Sequence, residues 1–369
     1  MQQALLGGLS PQLFLRRHWQ KRPLLVRRAL PAFRGVIGKN ALFALAARGD
    51  VEARLVQRQG ARWHLAHGPL GRTRLERAGG RDWTLLVSGV NHHCAAAEAL
   101  LRRFAFLPQA RLDDVMVSYA VPGGGVGPHF DSYDVFLVQG EGRRLWRLAR
   151  ARRFALVKGA PLRLIEGFAA EEELLLEPGD LLYLPPGWGH EGRALDPCFT
   201  CSVGFRAPSG AELAAAFLDY LHERGFDDAS YRDPGLHPAR HPAQIGAELL
   251  RFTERQLRNL RWSRSDALDF LGCYLSTPKQ NLVFRRKGGE KQELERKIVT
   301  LDPKTQLLYS GSRFFINGDS FVPRPAQRAA LAALANRRRV AGARLKRAGL
   351  AGLVADWCRS GYLRLERAA

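Results

Sequence analysis

Apolar and polar residues alternate through the first half of the chain. VEARLVQRQ, RWHLAHG and WTLLVSG, between 51 and 89, put apolar side chains on every second position, which predicts half-buried strands. DDVMVSYAV, HFDSYDVFLVQ, RLWRL, DLLYLP and CFTCSVGF, between 111 and 206, are rich in β-branched and aromatic residues and punctuated by Gly and Pro, so they read as strands too. Helical spacing frames them. Ser10 as N-cap and Pro11 at the first helical position start PQLFLRRHW, Pro23 ends it, and LLVRRAL follows as a strand. Short helices are expected at 41–47 and 95–103. From Glu212 the period changes: AELAAAFLDYLHERGF has an apolar helical stripe, and HPAQIGAELLRFTERQLRNL keeps helical register to about Trp262. DALDFLGCYLS is helical, LVFRR a strand or loop, and QLLYSGSRFFINGDSFV a hairpin pair with Asn317-Gly318 as a tight turn. The helices PAQRAALAALAN and LAGLVADWCRSG and a terminal strand, YLRLE, complete the chain.

This pattern predicts an α+β protein of three parts. Residues 1–207 carry an all-β barrel of the double-stranded β-helix (jelly-roll, cupin) type with flanking helices. Pro208 and Gly210 mark a boundary, and the helices of 208–262 have apolar stripes with no core beside them, which predicts a homodimer. Residues 263–369, helices followed by a hairpin, read as a winged helix. Its basic stretch, 337–339 with Lys346 and Arg347, suits equally a nucleic-acid contact and a solvated helix end.

The candidate chemistry sits between Val121 and His190. His129 and Asp131 are two apart and face one way on a strand. His190 closes a second segment after the Glu177-Pro178-Gly179-Asp180 turn, LLYL, and the breaking Pro185-Pro186-Gly187. Two histidines and a carboxylate are the facial ligand set of Fe(II) and leave coordination positions open. Such a site needs, besides dioxygen, an electron-donating co-substrate that chelates the metal, as 2-oxoglutarate can. Arg144 in GRRLWRL is the cation for the far carboxylate, with Arg143 facing outward. Tyr133 shares the facing of His129 and Asp131. Asp134 and Asp114 are candidate carboxylates for a basic substrate, each equally a turn or strand-end residue. Adjacent His92 and His93 point apart and read as structural or substrate-edge residues. Cys198 and Cys201 form a lone CxxC on a strand and read as ordinary strand thiols.

Composition narrows the setting. Five scattered cysteines argue against a disulfide framework and for the cytoplasm, no apolar run is long enough to span a membrane, and no signal peptide is evident at the N-terminus. The net charge of +22 favours a polyanionic partner such as RNA. It sits awkwardly with a basic substrate, so acidic groups, 171–173 among them, are expected to reverse the field near the mouth.

HWQKRPLLV, VNHH at 90–93, DDVMVSYAVPGGGVGPHFDSYDVF at 113–136, GRRLWRL at 142–148, PGDLLYLPPGWGHEGRAL at 178–195 and SVGFRAP at 202–208 resemble the bacterial JmjC-type ribosomal oxygenases. The resemblance is strong over roughly the first 210 residues and architectural beyond. It implies Fe(II)- and 2-oxoglutarate-dependent 3-hydroxylation of an arginine of large-subunit ribosomal protein L sixteen, with Ser118 adding a hydroxyl contact to the co-substrate and Arg144 at the family's 2-oxoglutarate position. It also implies the homodimer and the winged helix. Rival readings on the same fold are a ribosomal-protein histidine hydroxylase and a lysine demethylase. Rivals of another class are a metal-binding cupin without catalysis and a nucleic-acid-binding regulator.

Overall fold

The computed structural model describes residues 2–150, 154–225, 229–238, 240–241, 243–279, 281–285 and 294–367. They divide into two compact units, 1–207 with 278–305 and 326–369, and 208–277 with 306–325.

The first unit is built on two antiparallel sheets. Its strands are β1 (Leu24–Val26), β2 (Ala53–Gln59), β3 (Arg62–His67), β4 (Trp83–Val87), β5 (Leu112–Ala120), β6 (Val135–Gln139), β7 (Arg144–Arg150), β8 (Glu172–Leu176), β9 (Leu181–Leu184), β10 (Trp188–Ala194) and β11 (Cys198–Phe205). The large sheet runs β1-β9-β6-β11-β5-β4-β2-β3, the small one β10-β7-β8. Strands β6 and β9 are buried on both faces, so they read as continuous apolar runs, VFLVQ and LLYL. One face, with Phe136, Val138, Leu181 and Tyr183, packs under the helices through Phe14, Leu42 and Leu100. The other, with Val135, Leu137, Leu182 and Leu184, meets Trp146, Leu148 and Leu176 of the small sheet. The second layer is what makes the barrel, and its interior is where the polar residues of interest lie.

The helix Pro11–Arg17 begins as the sequence predicts, with the Ser10 hydroxyl accepting from the Leu13 amide. One expectation needs correction. HFDSYDVFLVQ is a strand only from Val135; His129 makes an isolated bridge to His190 instead. Pro185-Pro186-Gly187 do break the LLYL strand, which ends at Leu184, but a further, unexpected strand follows at once. The break carries the chain from β9 in the large sheet to β10 in the small one, and His190 sits inside β10. Strand β8, from the acidic-led EELLL, is an addition. LVFRR shows no strand over its described part, 282–285, and its last residue lies outside the described residues.

In the same unit β12 (Lys297–Leu301) lies between Arg339–Ala341 and Leu363–Arg367, the expected terminal strand. Of the basic run 337–339, Arg338 is turned inward. It is buried, and its guanidinium donates to the carbonyls of Thr305 and Asp302 at 2.8 Å each, so it is neither a nucleic-acid contact nor a solvated end.

The second unit holds the helices Gly210–Glu223, Ala247–Arg258 and Arg264–Ser276 and a three-stranded sheet of β13 (Leu307–Ser310), β14 (Arg313–Ile316) and β15 (Asp319–Phe321). Asn317 and Gly318 both have positive φ, 49° and 100°, as the β14–β15 turn requires. Ser209 and Ser263 each close a capping box at a helix start. The first two helices bury no residue.

Candidate active site

The glycine-rich turn before His129 runs along β10 like a partial strand. Gly123 donates to the Ala194 carbonyl at 2.8 Å, and Ala194 donates to the Gly124 carbonyl at 2.9 Å. A Cβ on Gly125 would stand 2.4 Å from the Gly192 carbonyl oxygen, so no side chain fits at this approach. The turn delivers His129 beside His190 and Asp131 just beyond.

The three residues converge. One ligand atom from each of His129, Asp131 and His190 lies within 4.8 Å of the others, and no other such group of three occurs among the described residues. His190 Nε2 is 3.7 Å from Asp131 Oδ2, and the imidazole centroids are 4.2 Å apart. His129 Nδ1 is 2.9 Å from the Gly127 carbonyl and His190 Nδ1 is 3.0 Å from that of Trp188. Donation to those carbonyls puts the proton on Nδ1 and leaves each Nε2 lone pair for the centre of the group. Burial, reinforced by the neighbouring His129, lowers the His190 pKa to about 4, which keeps it a neutral ligand at physiological pH.

Arg144 enters the same cavity of about 490 Å3, which the triad also lines. In the β7–β10 register Ala194 faces Arg144, Gly192 faces Trp146 and His190 faces Leu148, so Arg144, Trp146 and His190 share one face. Arg144 is 5% exposed. Its Nη1 donates to Ser118 Oγ at 3.2 Å, while its Nε and Nη2 have no hydrogen-bond partner among the described residues. A buried guanidinium with two unpaired donors is costly unless an anion completes it. A dicarboxylate ending there and a metal at the triad both fit this donor set. Arg143, in contrast, pairs with Asp196 at 2.7 Å, away from the cavity.

The substrate candidates separate. Tyr133 is 40% exposed and lines the cavity. Burial of its hydroxyl and the charge of Asp131 raise its pKa, so it stays a hydrogen-bond donor. Asp114 lines the cavity and accepts from the Gly89 amide at 2.8 Å. Asp134 does not reach it. It is fully buried and held by the Tyr183 hydroxyl at 2.6 Å, Gln20 Nε2 at 3.0 Å and Arg111 Nη2 at 3.3 Å. That is a structural anchor under the sheet, not a substrate carboxylate. The acids of 171–173 are not at the cavity either: Glu173 pairs with Arg147, and Glu171 accepts from the Arg150 amide.

Sequence reasoning missed Asp113 and Lys279. Lys279 Nζ lies 3.1 Å from the Asp113 carboxylate and 3.4 Å from Asp114 Oδ2, and all three line the cavity. The consecutive acids Asp113-Asp114 at the head of a strand were a usable signal; nothing local to Lys279 was. His92 is buried, and its neighbour Asn91 caps the Val115 amide at 2.8 Å, a structural setting. Cys198 and Cys201 are buried free thiols on β11.

The chain matches the JmjC domain family over residues 99–213 and the ROXA-like winged helix over 259–364. It is 44% identical over 233 residues to the ribosomal protein uL16 3-hydroxylase of Escherichia coli, covering 63% of this chain and 62% of that protein. The aligned part therefore spans about three fifths of that relative's length. Among solved structures, E. coli ycfD superposes with a TM-score of 0.82 at 34% identity, covering 97% of this chain and 98% of that one. YcfD, described as a ribosomal oxygenase in complex with cobalt and 2-oxoglutarate, gives a TM-score of 0.80 at the same identity and coverage.

Proposed function

The chain belongs to the JmjC ribosomal oxygenases, and from this we propose that it is an Fe(II)- and 2-oxoglutarate-dependent dioxygenase that 3-hydroxylates an arginine of ribosomal protein L sixteen. One observation carries the reading: the buried, half-paired guanidinium of Arg144 faces the same cavity as the His129, Asp131 and His190 cluster. A cupin that only bound metal, or a regulator that only bound nucleic acid, would have no use for it.

His129, Asp131 and His190 would hold the iron. Arg144 and Ser118 would bind the far carboxylate of 2-oxoglutarate by charge-assisted hydrogen bonds. With 2-oxoglutarate and dioxygen, the bound iron supplies the oxidising power to hydroxylate an unactivated C–H, with succinate and CO2 as co-products. The chain's own part is to aim the target Cβ and to keep bulk water away. Tyr133 would present its ring and hydroxyl oxygen to the guanidinium from the cavity wall, and Asp114 its carboxylate. Incubation with iron, 2-oxoglutarate, ascorbate and an arginine peptide of protein L sixteen is expected to add one oxygen to one arginine, located by fragmentation. Oxygen on a histidine of another ribosomal protein, with the arginine peptide untouched, would make it a histidine hydroxylase.

The reading extends to the whole molecule. Residues 1–207 serve as the catalytic part, 208–262 as a dimerisation segment and 263–369 as the winged-helix part of a cytoplasmic homodimer. Exposed Leu218, Leu249, Leu250 and Leu257 on the helices of 208–262 support the dimer. The charge of +22 supports a contact with ribosomal RNA around the substrate. Among the described residues no helix is long and apolar enough to cross a membrane.

A further inference from the structure

Resting on that reading, we infer that Lys279 determines specificity: its ammonium occupies the Asp113–Asp114 carboxylates and yields them to an entering guanidinium but not to another ammonium.

Two observations lead there. The first is position. Lys279 lies far along the chain from the barrel strands, yet its Nζ bridges Asp113 at 3.1 Å and Asp114 at 3.4 Å at the head of β5, inside the cavity that holds the metal-ligating group. The second is charge. The cavity is lined by four acids, Glu52, Asp113, Asp114 and Asp131, and by four bases, Arg54, Arg144, Arg163 and Lys279. Withdrawing Lys279 leaves the acids in excess, which is how a protein of net charge +22 can present a local site for a cation.

The chemistry separates arginine from lysine. A lysine ammonium entering the site would repeat the point contacts that Lys279 already makes, and the tethered group competes at an effective concentration on the order of millimolar. A guanidinium brings five donors in a planar fork. It can take Asp114 bidentately while keeping a donor for Asp113. The Gly89 amide, donating to Asp114 Oδ2 at 2.8 Å, holds that carboxylate in place, and Arg206 Nε, 3.5 Å from Asp113 Oδ1, stays behind as its partner. The Lys279 side chain is 40% exposed, so solvent receives it when it is displaced.

The test uses the full chain loaded with Mn(II) and 2-oxoglutarate, so that binding is read without turnover. The probes are Nα-acetyl-arginine amide and Nα-acetyl-lysine amide, titrated by ligand-observed NMR against the native protein, Lys279→Met and Lys279→Arg. The native protein is expected to prefer arginine. In Lys279→Met both probes tighten, the lysine probe by about tenfold more, so the preference collapses. In Lys279→Arg the arginine probe weakens, because the internal competitor then carries the same fork. A merely structural lysine would weaken both probes in Lys279→Met and leave their ratio unchanged, and that result overturns the proposal. An unchanged arginine affinity in Lys279→Arg does so as well. Failure of the hydroxylase reading shows separately, as no added oxygen on any arginine peptide with the iron-loaded native protein while the probe ratios still shift.

Discussion

His129 and His190 exchange backbone hydrogen bonds, each amide donating to the other's carbonyl, at 2.9 and 2.7 Å. An antiparallel pair of this kind fixes the two imidazoles on one side, beside each other, before any metal arrives. Asp131 is tied in the same way, its carbonyl accepting from the Gly187 amide at 2.8 Å. The candidate metal-ligating group is therefore set by main chain, not by side-chain packing.

That rigidity makes Asp131→Ala a clean variant. The fold depends on the Asp131 carbonyl and not on its carboxylate, so circular dichroism and melting should match the native protein. Metal binding, followed by Mn(II) electron paramagnetic resonance, should be lost together with hydroxylation.

Arg144→Ala removes one partner of the proposed buried ion pair with the co-substrate, a loss of roughly 3–5 kcal/mol. The 2-oxoglutarate requirement should then rise by a factor of a hundred or more. Succinate release titrated against 2-oxoglutarate checks this; an unchanged requirement moves the carboxylate site elsewhere.

Asp134→Asn should act on stability and not on the site. The Tyr183 hydroxyl, Gln20 and Arg111 all donate to a fully buried carboxylate, and weakening that set costs about 1–3 kcal/mol. Urea unfolding should show the loss, while the turnover of the folded fraction stays near native.

Acid should loosen the metal-free protein. Burial, with the charges of Lys279 and His93, lowers the His92 pKa from 6.5 to about 4, so the unfolded chain binds more protons than the folded one between those values. Stability from this group is fully present above pH 6.5 and is lost as pH falls towards 4. His190, lowered to about 4 as well, adds to the same slope. Denaturant midpoints at pH 7.5 and 5 should differ, and His92→Gln should narrow the difference.

The proposed dimer would rest on the helical segment. Leu257 is 62% exposed on the helix Ala247–Arg258. Light scattering at micromolar concentration should give twice the chain mass, and Leu257→Asp should bring it towards one. A monomeric native protein would count against the assembly.

Much of the barrel was legible because its strands carry their own punctuation. LLYL stood out as an apolar run between Pro-Gly and Pro-Pro-Gly, and HFD and GWGH mark the three converging residues in plain sequence. What failed did so for physical reasons. Asp134 reads in sequence as a candidate substrate carboxylate although the shared facing of His129, Asp131 and Tyr133 already puts it on the other side; its burial against Tyr183 shows the structural use that a lone sequence position does not. Trp188–Ala194 was hidden because three helix- and strand-breaking residues precede it, although a change of sheet needs just such a break. The Lys279 contact joins residues more than 160 positions apart, a distance at which only the folded chain speaks.

Strand β7 has a dimensional consequence. Leu148, the position opposite His190, is four positions along from Arg144, and at about 3.3–3.4 Å per residue this sets the two anchors some 13 Å apart along the central strand of the small sheet. The indole of Trp146 lies between, 5.9 Å from the His190 ring and 5.8 Å from the Arg144 guanidinium carbon. Gly192 leaves room for it, since a Cβ there would come within 2.8 Å of the ring. The barrel wall thus carries Arg144, Trp146 and His190 in a row on one face. A diacid reaching from the His129, Asp131 and His190 cluster to Arg144 would run along that row, with the indole beside its carbon chain.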